Sequence, residues 1–398
     1  MLGQWLSALT QWGLFVVAVI LLIPIGVLFI ECMAALLPSR SHEGGKGPDS
    51  TAILIPAHNE AAVISQTLTS VMAARPDAAS VYVVADNCSD ETASIARQFG
   101  TTVVERNDPV QRGKGYALDY GLSQLAAAPP EVVIMIDADC DVEADAIATT
   151  ARQALSSQRP VQALYLMELP PDPNAADSIS ALAFLVKNWV RPLGLDRLGL
   201  PCLLTGTGMA FPWDVIRSAP LASGNIVEDM QLGLDLAIAG YAPQFCAGAR
   251  VMGRLPGDRE AAKSQRTRWE HGQLNTLLTQ VPRLLKQAAI QRRIDLLALA
   301  LEMAVPPLSL VVMAWLGAFV LSWIAAIAGF SHGPELLLSV EGALVAIAIV
   351  TAWAKFGRHI PGTTLLMAPL YIAWKIPMYV AFAIRRQTAW VRTKRDII

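Results

Sequence analysis

Charge is what this sequence has least of: only 16% of its 398 residues are Asp, Glu, Lys or Arg, where a soluble domain carries about a quarter. A wholly soluble protein is therefore not expected. The 31 Lys and Arg against 33 Asp and Glu leave a net charge of -2. Such a balance offers no cationic surplus for holding polyanionic nucleic acid, so DNA and RNA partners are set aside. Cysteine is sparse as well. Cys32, Cys88, Cys140, Cys202 and Cys246 show no CxxC and no partnering histidine spacing, which argues against a zinc site or a disulfide framework and for reduced thiols facing the cytosol. Internal repeats and low-complexity tracts are also missing.

What the chain has in excess is apolar residues, 54% of the total with a mean hydropathy of +0.42, gathered at its two ends. Trp12 to Ile30 contains no charged residue, and a helix of that length crosses most of a bilayer core of about 30 Å. A cleaved signal peptide is the competing reading, but it needs a basic leader, and no Lys or Arg precedes Trp12, so a retained anchor is preferred. Arg40 and Lys46 in the linker that follows place it on the cytoplasmic side by the positive-inside rule. Three more apolar segments are Ile294 to Phe330, Leu336 to Ala354 and Thr363 to Ile384, with Pro306-Pro307 either starting a span or breaking a hairpin. The basic tail, Arg385, Arg386, Arg392, Lys394 and Arg395, favours an even number of C-terminal crossings. Ahead of these segments, Arg259, Lys263, Arg266, Arg268, Arg283, Lys286, Arg292 and Arg293 suit phospholipid headgroups.

Between the ends the pattern is that of an enzyme domain. Ala52 to Ile55, Val81 to Ala85, Thr102 to Val104 and Val132 to Ile136 read as buried parallel strands, each closed by a polar cluster and followed by a helical stretch. The expected fold class is α/β, an open Rossmann-like sheet, in which ligands sit at the carboxyl ends of the strands. Asn59, Glu60, Asp86, Asn87, Asp137 and Asp139 stand at those ends.

Several clusters there suit chemistry, each with a plainer alternative. Asp137-Ala138-Asp139 delivers two carboxylates from a strand end, hard oxygens suited to Mg²⁺ or Mn²⁺ on a substrate diphosphate; an acidic turn capping a helix from about Glu143 explains them too. Asp86 can accept from a nucleobase N–H, while Ser89 and Asp90 beside it are turn and cap residues. Arg112-Gly113-Lys114-Gly115 offers close backbone approach and a point charge to phosphate, without P-loop spacing; a surface turn is the alternative. Leu204-Thr205-Gly206-Thr207-Gly208 is a second glycine-rich loop. Glu228-Asp229 opens a helix through Met230 to Ala239, either as dipole-stabilising caps or as a general base. Gln265-Arg266-Thr267-Arg268-Trp269 joins amide, cation and aromatic plate, fit to stack a sugar and bind phosphate or to snorkel at a membrane surface.

Taken in order, Pro56-Ala57-His58-Asn59-Glu60, Asp86, Gly113-Lys114-Gly115, Asp137-Ala138-Asp139, Gly206-Thr207-Gly208, Glu228-Asp229 and Gln265 to Trp269 resemble the membrane-integrated family-2 glycosyltransferases. That group includes cellulose, chitin-oligosaccharide and hyaluronan synthases and bacterial exopolysaccharide transferases. The resemblance implies a GT-A fold, a nucleotide-diphosphate sugar donor with UDP favoured, a divalent metal (Mg²⁺ or Mn²⁺) and inversion at the anomeric carbon. It assigns Asp86 to the nucleobase, with Ala57, Asn59 and Glu60 lining the same pocket and Lys114 near the nucleotide. Asp137 is implied at the nucleotide sugar, Asp139 at the metal, and Asp229, beside Glu228, as the catalytic base. Gly206, Thr207, Gly208, Gln265, Arg268 and Trp269 are implied around the acceptor and diphosphate.

The implied domains are an anchor (1–37), a linker (38–50), a GT-A domain (51–275), an interfacial basic segment (276–293), C-terminal membrane helices (294–384) and a cytoplasmic tail (385–398). The location implied is a bacterial inner membrane with the catalytic domain in the cytoplasm. Val227 stands where polymer synthases have Thr, and the membrane block is modest for a polysaccharide channel. Transfer of one sugar to a lipid-linked acceptor in envelope glycan assembly is therefore preferred, with proteins of that assembly pathway as possible partners. A processive synthase that also secretes its polymer is the alternative. Phe184 to Leu200 reads either as an interfacial segment guiding the lipid or as a buried helix. Glu302, Glu341 and Lys375 lend some support to a transporter with an inactive α/β domain; a sugar-phosphate nucleotidyltransferase leaves the membrane segments unexplained.

Overall fold

The computed structural model describes residues 2–39, 45–170, 173–222, 227–254, 259–329 and 333–384. Arg40 and the basic tail from Arg385 lie outside the described residues. In chain order the elements are α1 (Leu2–Ala34), β1 (Thr51–Ala57), α2 (Ile64–Ala74), β2 (Ala79–Asp86), α3 (Thr92–Gln98), β3 (Thr102–Arg106) and α4 (Lys114–Leu125). There follow β4 (Val132–Met135), β5 (Cys140–Val142), α5 (Ala146–Ser157), β6 (Val161–Glu168), α6 (Ala175–Leu185), one π-helical turn (Val186–Val190) and α7 (Arg191–Leu198). The rest comprises β7 (Met209–Pro212), α8 (Trp213–Ile216), α9 (Glu228–Ile238), β8 (Gln244–Arg254), α10 (Arg259–Gln291), α11 (Ile294–Ala304), α12 (Leu308–Ile327), α13 (Pro334–Phe356), a 3₁₀ segment (Gly362–Met367) and α14 (Ala368–Ile384).

The four β-branched runs form strands because both of their faces are covered. Ile53, Ile55, Val83 and Ile134 pack beneath α2 and α5, while Ala52, Leu54, Val84 and Met135 pack beneath α4 and α9. Period-two alternation thus sends apolar side chains into two layers, each fully buried aliphatic contributing about 1.5–3 kcal/mol. The strands run parallel in the order β3-β2-β1-β4. Beyond β4 the sheet becomes mixed: β7 is antiparallel to both β4 and β6, β8 is parallel to β6, and β5 closes the edge antiparallel to β8. The helix expected from about Glu143 begins at Ala146, with Glu143 held by Arg250 at 3.0 Å.

A second core joins α1, α6, the π turn, α7, α12 and α13. Gly194 of α7 permits that junction, since a Cβ there would lie 2.0 Å from the Glu31 carbonyl oxygen of α1. Arg191 fastens it: Nε donates to Glu31 Oε2 at 2.6 Å and Nη2 to Glu302 Oε2 at 2.8 Å, with all three side chains at most 5% exposed. Glu302 is therefore an internal ion-pair partner. Phe184 to Leu200, read above as interfacial or buried, folds as helix, π turn and helix against this core.

Among the described residues, four helices are long and apolar enough to cross a membrane: Ala8–Ala34, Leu308–Ile327, Pro334–Phe356 and Gly362–Phe382. Three lie after the α/β domain, one in each of the apolar segments read in the sequence; the even number of crossings expected from the tail's charge has one of them lying in the interface. The apolar run from Ile294 divides. Pro306-Pro307 ends α11 and starts α12, and α11, of 11 residues, buries Leu296, Leu299 and Met303 against α9 and α10.

Candidate active site

The sheet's carboxyl ends bring the motif loops together. Asn59 and Asn87 end β1 and β2 in the left-handed region, at φ 55° and 49°, which asparagine tolerates better than most residues. Asn59 does not line the cavity; its Oδ1 accepts from the Ser89 amide at 2.7 Å and ties the two loops. The Glu60 amide donates to Thr92 Oγ1 at 2.8 Å, and His58 Nδ1 donates to the Asp86 carbonyl at 2.7 Å. Asp86 is buried, and Oδ1 accepts from Arg106 Nη1 at 2.7 Å and Asn87 Nδ2 at 3.0 Å. Arg106, at the end of β3, was not singled out in the sequence; its strand-end position was the available signal.

A cavity of about 230 Å³ opens over these loops, lined by Ala57, Glu60, Asp86, Arg112, Gly113, Lys114, Asp137, Asp139, Gln265, Arg268 and Trp269 among others. Gln265 is 5% exposed and its Oε1 has no hydrogen-bond partner among the described residues. Such an orphaned acceptor fits a ligand donor. Trp269 packs on Phe184 at a centroid distance of 6.1 Å, and Phe184 meets Tyr165 edge-on at 5.4 Å.

Beside it lies a larger cavity of about 300 Å³, which takes in Thr205, Gly206, Glu228, Asp229 and Lys187 and extends to Leu28, Val305 and Leu308 of the membrane-side elements. The two cavities share Lys114, Asp137, Tyr165, Arg268 and Trp269. Lys114 Nζ sits at that junction, 2.5 Å from Asp137 Oδ1, 3.9 Å from Glu228 Oε1 and 2.7 Å from the Gly206 carbonyl, to which it donates. Burial opposes its charge, but Asp137, Glu228 and Asp229 hold Lys114 protonated well above the usual lysine range. Conversely, burial raises the carboxyls of Asp229 and Asp137 above their ordinary value, with Lys114 pulling the other way. Glu228 is pushed to about 8 by the same burial.

Gly206 closes the arrangement. It lies at φ 95°, and a Cβ there would be 3.0 Å from Asp229 Oδ2 and 3.5 Å from Lys114 Nζ. Thr207 is wholly buried and supports the strand end instead of lining it, its Oγ1 accepting from the Asp137 amide at 3.0 Å. Gly208, at φ 66°, is packed against Ala163 and Val251. The two glycine-loop residues after Gly206 are therefore scaffolding.

Ligand atoms of Asp137, Asp139 and Cys140 all lie within 4.8 Å of one another. A hard cation takes one or two carboxylates and completes its shell with water and phosphate, so the two aspartates fit Mg²⁺ or Mn²⁺. Asp137 is already paired with Lys114, which leaves Asp139 as the principal donor. Cys140 offers a soft sulfur, which suits a hard cation less than the two carboxylates do.

Comparison with known proteins agrees with this geometry. A "Probable glycosyltransferase YdaM" of Bacillus subtilis (strain 168) is 25% identical over 243 residues, 58% of this chain and 56% of that protein. An uncharacterized glycosyltransferase of Mycobacterium tuberculosis (strain H37Rv) is 35% identical over 96 residues, 24% of this chain and 39% of that protein. Thus the chain spans about half or less of these relatives' own length. Among solved structures, the mannosyltransferase PcManGT from Pyrobaculum calidifontis, in complex with GDP-Man and Mn²⁺, superposes with a TM-score of 0.55 at 19% identity, covering 91% of this chain and 99% of that one. The family described as "Glycosyltransferase like family 2" matches residues 48–272. That match takes in every motif of the two cavities and more than half of the sequence, and on it the chain belongs to glycosyltransferase family 2, a GT-A α/β domain carrying long apolar helices.

Proposed function

We propose that the protein transfers one sugar, with inversion, from a nucleotide-diphosphate sugar to a hydroxyl of a lipid-linked acceptor at the membrane. The observation that carries this reading is the pair of adjoining cavities: one holds Asp86 and Asp139, the other holds Asp229 and runs to the membrane-side helices, and they meet at Lys114 and Trp269. The donor occupies the first. Asp86, fixed by Arg106, accepts from the base N–H, and UDP is favoured there by resemblance. Asp137 faces the nucleotide sugar, and Lys114 and Arg268 face the diphosphate. Asp139, with Asp137 beside it, would hold a divalent cation, Mg²⁺ or Mn²⁺, which when bound would neutralise the charge that develops on the leaving diphosphate; PcManGT is described with GDP-Man and Mn²⁺.

The acceptor occupies the second cavity. Asp229 takes the proton of the attacking hydroxyl, its raised pKa making it a stronger base than an exposed carboxylate. Glu228, whose carboxyl burial also raises, precedes it at the start of the same helix. Trp269 presents its ring to the sugar at the junction. A single displacement needs no carboxylate nucleophile on the sugar, unlike a retaining glycosidase. The domain has its catalytic face toward the cytoplasm of a bacterial inner membrane, with a role in envelope glycan assembly.

Product analysis tests the proposal. Membranes containing the protein, given labelled nucleotide sugars and Mn²⁺, are expected to move label into organic-extractable lipid by one residue. A high-mass, glycosidase-sensitive product would replace this reading with a processive synthase.

A further inference from the structure

We propose that the larger cavity holds, through Lys187, a phosphate monoester at the polar end of a lipid. This rests on the transferase reading above only for naming the cavity as the acceptor side; the residues carry the ligand chemistry by themselves.

Lys187 belongs to the π-helical turn Val186–Val190 between α6 and α7, and such wide turns recur at functional sites. It is half-buried and lines the cavity. Its Nζ donates to Gln273 Oε1 at 3.0 Å and makes no ion pair among the described residues. Four other cations of the cavity wall face carboxylates: Arg191 is held by Glu31 and Glu302, Lys375 by Glu270, Lys114 by Asp137, and Arg266 stands 3.6 Å from Asp177; a fifth, Arg268, is shared with the donor cavity. Burial lowers the Lys187 ammonium below the ordinary lysine range, although Asp229 and Glu270 pull it upward. A desolvated ammonium that gains one neutral amide is a poor structural element, because an uncharged side chain makes the same bond without the desolvation. An anion arriving in the cavity supplies what is missing.

Two further atoms shape that anion. Asn188 Oδ1 and Thr205 Oγ1 are buried without a hydrogen-bond partner among the described residues, and both residues line the cavity. A cavity lined by this cation, one unsatisfied hydroxyl and one unsatisfied amide oxygen suits a phosphate monoester, whose oxygens accept from the ammonium and from Thr205 and whose own hydroxyl donates to Asn188. The apolar chain of the ligand follows Leu28, Val305 and Leu308, which continue the cavity toward α1 and α12. A free phosphate ion would leave that apolar extension unused, and a neutral lipid would leave Lys187 without a counter-charge.

The test uses the full chain purified in a non-ionic detergent. Acetylation of Lys187 by an N-hydroxysuccinimide ester is followed by mass spectrometry with dioleoyl phosphatidic acid, dioleoylglycerol or inorganic phosphate added. Phosphatidic acid is expected to slow labelling roughly tenfold, the scale of one charge-assisted hydrogen bond, and dioleoylglycerol to leave it unchanged. Protection by dioleoylglycerol equal to that by phosphatidic acid, or none by either, overturns the proposal. So does equal protection by inorganic phosphate, which would mark a site for the free ion. Binding of the same lipids measured by native mass spectrometry is expected to lose its preference for phosphatidic acid in Lys187→Gln and to keep it in Lys187→Arg; an unchanged preference in Lys187→Gln also overturns it. Mn²⁺-dependent nucleotide binding in Lys187→Gln is expected to match the parent. Loss of that binding in Asp139→Ala is the separate check on the transferase reading, so the two failures are told apart.

Discussion

Replacing Gly206 by alanine is expected to cut turnover far more than it lowers stability. At φ 95° the added Cβ would sit 3.0 Å from Asp229 Oδ2 and 3.5 Å from Lys114 Nζ. The left-handed backbone costs an L-residue about 1–2 kcal/mol, which sets the expected loss of stability. The close contact falls on the carboxylate itself, so Asp229 must give way by a few tenths of an ångström. Since a misplacement of about 1 Å in an oriented site costs on the order of a hundredfold, kcat is expected to fall by roughly tenfold or more. Donor binding, made in the other cavity, is expected to hold. Gly208→Ala is the comparison: at φ 66° its Cβ would press on Ala163 and Val251 at 2.9 Å, giving a stability loss with a smaller effect on kcat. Initial rates of sugar transfer at saturating donor, with thermal unfolding of the same preparations, measure both. An unchanged kcat in Gly206→Ala, or an equal fall in Gly208→Ala, would refute the placement of Asp229.

Three other predictions address charge. Because burial raises the Asp229 carboxyl, kcat/KM is expected to fall with unit slope as pH drops through a value above the ordinary carboxylate range; a limb at the ordinary value would contradict its assignment as base. Glu228, pushed from 4.5 to about 8, binds its proton more tightly folded than unfolded. Its contribution to stability is thus full below 4.5 and is lost as pH rises toward 8, so Glu228→Gln is expected to flatten the fall in Tm over that interval. Arg191→Met leaves Glu31 and Glu302 buried without a counter-charge and is expected to cost about 3–5 kcal/mol, read as a large loss of folded protein on heating; a near-parental Tm would show that the three do not hold α1, α7 and α11 together.

The residues that the sequence made legible are those governed by local rules. The runs at Thr51, Ala79, Thr102 and Val132 become strands because short β-branched segments with covered faces have few alternatives, and topology then sends Asp86, Asp137 and Asp139 to one edge. The ordered motifs found both cavities. Roles inside the motifs were less legible, because they depend on partners distant in sequence. Asn59 turned out to tie two loops, and Thr207 and Gly208 to support the sheet. Arg106 carried no motif, and its pairing with Asp86 arises only when β3 lies beside β2. Hydropathy also merged α11 with α12, since a helix buried against protein and one fit to cross a membrane are equally apolar; Pro306-Pro307 and the charges of α11, Asp295 and the Arg191-paired Glu302, are what separate them. The antiparallel strands β5 and β7, of three and four residues, were too short to leave a period.

The most direct test of the central claim is transfer of label from a panel of nucleotide sugars, with Mg²⁺ or Mn²⁺ and a lipid extract, by membranes containing either the parent protein or Asp229→Asn. The parent is expected to transfer one sugar from one donor class to lipid, and the Asn variant to bind the donor but transfer none. Equal transfer by the variant, or no transfer from any donor by the parent, would contradict the account.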